Sequence, residues 1–315
     1  MRLVAALALT ALSAAAAAQV PFSFAVFGDT PYNPLEAAAV PRILQEIDRA
    51  DMAFVVHVGD LKSATEPCSD RVLRERYDLL EASQRPLVYV PGDNDWTDCH
   101  GASAGGYDPR ERLERLRALF FDSDESLGRR KLRLARESDD PRFRPYRENV
   151  RWVAGNVVFV TLNIPASNNN LGRTDAMDAE HTERMIANFA WLAEALRIAQ
   201  QPPMLGLVVF AHADPRFERA KDADDSRDGY AGFRSALRTH AATLGKPTLL
   251  VHGDGHRYLV DQPLQDLLTH DRIANFTRVE VFGSPFVGWV RIDVTPEGAQ
   301  LFSISPGSEP VRPSQ

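Results

Sequence analysis

The chain has 315 residues and a formal charge of −7, with 36 basic against 43 acidic side chains and 44% hydrophobic residues. That length can carry a substantial core in one large domain. The acidic balance excludes a protein built for general nucleic-acid or membrane-surface binding, which needs a basic face.

Met1–Ala18 starts with Arg2 and continues through small and apolar residues to Ala16-Ala17-Ala18 before Gln19. This is the pattern of a secretory signal peptide cleaved after Ala18. The run is a little short of the ~20 residues of a spanning helix, and no later segment is apolar for that long. The expectation is an exported protein, periplasmic or secreted, with no membrane span. In an oxidising compartment Cys68 and Cys99 are expected to pair.

Phe22–Phe27 reads as a strand, Leu35–Ala50 as a helix, Met52–Val58 as a second strand, Asp70–Ala82 as a second helix and Pro86–Val90 as a third strand. Crossovers of this kind make the three strands parallel and end them on one edge of a sheet. The polar stretch Asp95–Glu148, with one clear helix at Arg110–Phe120 and a basic run from Arg129 to Arg147, is read as an elaborated loop region over the sheet edge. Its first part, Arg129-Arg130-Lys131-Leu132-Arg133, followed closely by Glu137, Asp139 and Asp140, is taken as a solvated face. Arg151–Asn163 is a hairpin around Gly155-Asn156. A loop opens at Asn168–Asn170, and Met177–Ala199 is a long amphipathic helix. Strands at Met204–Ala211 and Pro247–Val251 flank a helix at about Gly229–Leu244, and alternation from Phe276 to Ser305 predicts a terminal run of strands. The fold class is therefore α/β with mixed sheets, expected as a single domain over 19–315 with an insertion at about 95–148.

Five of the apolar strands end in ligand-type residues. The first three end in Gly-Asp, at Asp29, Asp60 and Asp93; the later two end at His212 and in His252-Gly-Asp254-Gly-His256. Gly-Asp after a strand is by itself an ordinary turn. Carboxylates converging at one sheet edge, where open α/β folds bind ligands, repel one another without a cation. Together with the histidines they form a set suited to metal ions.

The ordered set Asp29, Gly-Asp60, Gly-Asp93-Asn94-Asp95, Ala-His212 and Gly-Asp254-Gly-His256 resembles the calcineurin-like metallophosphoesterase superfamily over nearly all of Phe22–Val294. The resemblance implies a four-layer α/β/β/α sandwich with two metals at the carboxyl ends of the strands. Asp60 would bridge them, with Asp29 and His256 on the first and Asp93, His212 and Asp254 on the second. A hydroxide bridging the metals would hydrolyse a phosphate ester of a small substrate, monoester, diester or anhydride.

The chain departs from the family pattern in four places. Pro31 stands where the family has a metal-binding histidine, and Tyr32 is the candidate replacement, as a tyrosine serves in purple acid phosphatases. Asn94 stands where the family has a histidine that assists the leaving group; the candidates for catalysis on this loop are Asn94, Asp95 and His100. Asp93 and Asp254 replace a family asparagine and histidine, and the resulting four carboxylates and two imidazoles favour manganese, iron or magnesium over zinc. Lys62, Arg257 and the Asn168–Asn170 loop are candidates for holding phosphate oxygens, each also readable as a solvated loop residue. His57 is read as a core histidine or one supporting the ligands, His252 as a strand residue or, less favoured, one supporting the ligands, and His181, His240 and His270 receive no role. Two rival readings keep the metals: a phosphate-ligand binding protein that has lost catalysis, and an envelope protein whose carboxylates hold a stabilising ion. Oligomeric state is open.

Overall fold

The computed structural model describes residues 20–219 and 227–313. The signal-peptide segment Met1–Ala18 therefore lies outside the described residues.

β1 (Phe22–Phe27), β2 (Val55–His57) and β3 (Leu87–Tyr89) are parallel neighbours, as the strand-helix alternation requires. Between them run α1 (Pro34–Arg49) and α2 (Asp70–Glu81). Asn33 starts α1 by accepting from the Leu35 and Glu36 amides, and Pro34 occupies the first turn, where its missing N–H costs nothing. Ser69 caps α2 in the same way through the Val72 amide. The formal strands β2 and β3 are shorter than the apolar runs, yet pairing continues past their ends through Val58 N to Phe27 O at 2.9 Å and Val90 N to His57 O at 2.9 Å.

Two sheets result. β11 (Val290–Val294) and β12 (Phe302–Pro306) extend the first into the order β12-β11-β1-β2-β3. The second contains β4 (Ala135–Arg136), the hairpin β5 (Val150–Ala154) and β6 (Val157–Thr161), then β7 (Gly206–Phe210), β8 (Thr248–His252), β9 (Leu259–Asp261) and β10 (Phe276–Glu280), in the order β4-β5-β6-β7-β8-β10-β9. β4 and β9 are too short to show alternation and were not expected from the sequence.

Period-two alternation divides β1 between two cores. Phe24 and Val26 face the second sheet, while Ala25 and Phe27 face the helices. Between the sheets Phe24, Phe54, Trp152, Phe159 and Phe210 pack ring against ring. α3 (Pro109–Phe120) joins α1 and α2 on the outer face of the first sheet. The outer face of the second sheet is covered by two further helices, numbered after the short segment α4 (Ala166–Asn169): α5 (Asp175–Gln200) and α6 (Ala231–Leu244). The architecture is thus the expected α/β/β/α sandwich.

The 95–148 region does more than cover an edge. Leu113, Leu116, Phe120, Phe121 and Leu127 enter the buried cluster under the first sheet. Arg129, Arg130, Lys131 and Arg133 are exposed, as expected of a solvated face, whereas Arg136 further on is buried and donates to Arg147 O at 2.6 Å. Cys68 and Cys99 form a disulfide, both fully buried. No helix among the described residues is long and apolar enough to cross a membrane.

Candidate metal centre

The six expected ligands come together where the carboxyl ends of the two sheets meet. Asp29, Asp60 and Asp93 follow β1, β2 and β3, His212 follows β7, and Asp254 and His256 follow β8. The chain must turn sharply to aim these side chains inward, and Asp29, Asp60, Asp254 and His256 have φ of 52°, 59°, 72° and 61°. Such left-handed backbone is uncommon for residues other than glycine and collects at functional sites. The preceding glycines have a different cause. A Cβ on Gly92 would lie 2.2 Å from Asp60 Oδ1, and one on Gly253 would lie 2.2 Å from Asp29 Oδ2. The Gly-Asp signature is here a requirement of close backbone approach.

Asp29, Asp60 and His212 bring ligand atoms within 4.8 Å of one another, and so do Asp93, His212 and Asp254. His212 Nε2 lies 3.0 Å from Asp93 Oδ1 and 3.4 Å from Asp60 Oδ1, so it stands near both groups. His256 Nε2 is 3.4 Å from Asp29 Oδ1. Each imidazole is oriented from behind: His212 Nδ1 is 2.8 Å from Val58 O and His256 Nδ1 is 2.8 Å from Ser284 O. A backbone carbonyl holding the Nδ1 hydrogen turns Nε2 toward the carboxylates, where its proton can give way to a metal ion, the usual support of a metal-binding histidine.

The electrostatics point the same way. Burial, and then the neighbouring Asp93, raises Asp60 well above the ordinary carboxylate value. Burial raises Asp254 to about 6 despite His212 nearby. Burial opposes a charged His212, but the carboxylates of Asp60 and Asp93 outweigh it and raise the imidazole well above its usual value. The same pairing draws Asp93 down to about 2 against its own burial. His256 is raised by Asp29, again against burial. Protons are held where the geometry gathers negative charge, which is the behaviour of a site matched to cations.

Tyr32 lies inside this cluster, its hydroxyl donating to Asp60 Oδ2 at 2.6 Å and lying 3.2 Å from His256 Nε2. Asn94 donates from its backbone to Asp60 Oδ1 at 3.0 Å and from Nδ2 to Asp60 Oδ2.

Asp95, expected among the catalytic groups, faces away into the scaffold. It accepts from the amides of Asp60, Leu61 and Gly92 and from the Tyr89 hydroxyl, which makes it the brace of the ligand turns. His100 is exposed on the rim, its Nδ1 2.9 Å from Thr97 O, with no contact to the six ligands. Lys62 is fully buried with Nζ on Ser63 O at 3.1 Å, so it does not present its ammonium to a ligand in solvent. Arg257 is exposed and pairs with Glu280. The Asn168–Asn170 amides, expected to reach phosphate, spend their hydrogen bonds on neighbouring segments of the protein instead. Asn168 bonds Leu171 O and Arg227 O, Asn169 bonds Gly229 O, and Asn170 bonds Glu180. His57 is a core histidine that spans Thr30 O and the Gly59 amide. His252 is buried beside Gly253 O.

Sequence reasoning missed Ser167, Asp98 and Arg173. Ser167 Oγ lies 3.0 Å from Asp93 Oδ2 and 2.8 Å from Asp98 Oδ2, and Arg173 bonds Asp98. Ser167, Asn168, Asn169 and Asn170 all have φ between 53° and 65°, a left-handed turn. It costs roughly 1–2 kcal/mol per residue for ordinary side chains, less for asparagine. The Asn-Asn-Asn run was the one available signal.

The two sheets and their covering helices form the metallophosphoesterase fold, with the six candidate ligands gathered at one edge. No family model and no curated protein matches the sequence. Among solved structures the chain is similar to PhoD, at 14% identity and a TM-score of 0.55, covering 93% of this chain and 70% of that one. It is also similar to purple acid phosphatase PPD1 from yellow lupin (Lupinus luteus) seeds, at 14% identity and a TM-score of 0.52, covering 92% of this chain and 52% of that one. The chain spans about half the length of the lupin protein.

Proposed function

We propose that this protein hydrolyses a phosphate ester of a small substrate with two metal ions held by Asp29, Asp60, Asp93, His212, Asp254 and His256. The observation that carries the reading is the convergence of four carboxylates with two imidazoles, each imidazole turned Nε2-inward by a backbone carbonyl. The oxygen-rich set fits manganese, iron or magnesium better than zinc. Bound there, such ions supply Lewis-acid polarisation of phosphoryl oxygens and a nucleophile at neutral pH.

The chain's own residues orient the centre. Asn94 holds both Asp60 oxygens, and Asp95 fixes the turns behind Asp60 and Gly92. Asn94 has no proton to give a leaving oxygen, so that proton comes from His100 or from solvent. We also infer export, supported by the Met1–Ala18 pattern and by the disulfide.

The test is hydrolysis of a generic aryl phosphate monoester and diester by the manganese-reconstituted mature chain, with Asp60→Asn as the blank. Turnover lost in the blank is the expected result. Asn94 in place of a proton donor favours one second reading, a metal-containing phosphate-binding protein. Phosphate binding without turnover in the metal-loaded protein would select it.

A further inference from the structure

Ser167 sits at the start of the left-handed turn, with φ 53° and ψ 47°. Backbone of this kind in a non-glycine residue persists only when its surroundings enforce it. Here they do. Arg184, fully buried, donates to Asn169 Oδ1 at 2.7 Å and to Asn169 O at 3.1 Å. The Tyr230 hydroxyl accepts from the Asn169 amide at 3.1 Å, and the Gly229 amide donates to Asn168 Oδ1 at 3.0 Å. A Cβ on Gly229 would lie 2.1 Å from Asn168 O, so only glycine allows this approach.

The consequence of the turn is the placement of one hydroxyl between two carboxylates, Asp93 Oδ2 at 3.0 Å and Asp98 Oδ2 at 2.8 Å. A hydroxyl has one hydrogen and can donate it to only one of them. Asp98 has a second donor, because the Arg173 guanidinium pairs with its Oδ1 and is itself anchored on Thr97 O at 2.7 Å. Among the described residues Asp93 Oδ2 has no such cation, and its other oxygen, Oδ1, is the one that faces His212.

We propose that Ser167 is a positioning residue for Asp93. Its hydroxyl donates to Oδ2 and fixes the rotation of the carboxylate, so that Oδ1 is the oxygen presented to the ion, while Arg173 compensates Asp98 and keeps it from drawing the hydrogen away. The proposal rests on the metal-centre reading above. Outer hydrogen bonds to ligating groups typically change metal affinity by about 10–100-fold.

The experiment is chelator competition for manganese on the full mature chain, with melting temperature and steady-state kinetics on the same samples. Ser167→Gly removes the hydroxyl at a position whose φ suits glycine, so loss of the turn and loss of the hydroxyl are separable. The expected result is affinity for one of two ions weakened by about 10–100-fold. With it, kcat should fall, KM should hold and the metal-free melting temperature should stay close to that of the parent. Arg173→Met should move the same ion in the same direction by a smaller factor. Parent-like affinity for both ions and parent-like kcat in Ser167→Gly would overturn the proposal alone. A parent chain that binds no manganese would instead overturn the metal-centre reading, and this proposal with it.

Discussion

Tyr32 donates its phenolic hydrogen to Asp60 Oδ2 at 2.6 Å, which places a phenol among the candidate metal ligands rather than on the rim. Its oxygen also lies 3.2 Å from His256 Nε2, between the carboxylate expected to bridge and the imidazole expected on the first metal. A phenolate bound to ferric iron absorbs visible light by charge transfer. Iron-reconstituted protein is therefore predicted to be coloured, and Tyr32→Phe to lose the band while still binding iron through Asp29, Asp60 and His256. A visible band unchanged in Tyr32→Phe would remove the phenol from the coordination sphere.

The raised values of Asp254 and His212 set a pH dependence whose sign can be worked out. Both groups hold protons more tightly in the folded, metal-free protein than in the unfolded chain. The stability each contributes is complete below its unfolded value and is lost as pH rises through its folded value. For Asp254 that window runs from the ordinary 3.8 to about 6, a loss on the order of 3 kcal/mol. His212 adds a loss at higher pH. The melting temperature of chelator-treated protein should therefore fall between about pH 4 and pH 8. Manganese, which takes the place of those protons, should stabilise strongly near neutrality and little near pH 5. Calorimetry with and without chelator measures both, and a metal-free melting temperature that rises across this range would contradict the assignment.

Asp95 is predicted to act on stability before chemistry. Its carboxylate takes four donors from the ligand turns and Tyr89, and an amide in its place would turn an N–H toward donors that need an acceptor. Asp95→Asn should cost about 3 kcal/mol in denaturant unfolding. Parent stability together with abolished turnover would instead mark it as a reacting group.

Much of this was legible in the sequence. Apolar runs ending in Gly-Asp, Ala-His and Gly-Asp-Gly-His picked out six side chains that the fold gathers at one edge, because strand ends converge by topology alone. The direction of a side chain past a strand end was not legible. Asp93 and Asp95 are two residues apart in one loop, yet one faces the centre and the other braces it. Tyr32 depended on where a loop 224 positions later would place His256. Ser167, Asp98 and Arg173 carry no motif, and only tertiary contacts bring them together. β4 and β9, of two and three residues, are defined by their partners rather than by their own pattern.

The disulfide supports the loop of Asp93 and Asn94. Both sulfurs lie against Asn94 O, at 3.6 Å from Cys68 and 3.8 Å from Cys99. The double variant Cys68→Ala/Cys99→Ala should lose about 3 kcal/mol of stability, since the bridge spans 31 positions. It should also bind manganese more weakly, because Asn94 holds Asp60. Equal unfolding midpoints and equal affinity would show the bridge to be dispensable to the centre.

The most direct test is a manganese titration of the metal-free mature chain in which bound metal and aryl phosphate turnover are read from the same samples. The two-ion centre predicts turnover that rises with occupancy, reaches its plateau at two ions per chain and is absent in Asp60→Asn. Full turnover in metal-free protein, or a plateau at one ion, would contradict it.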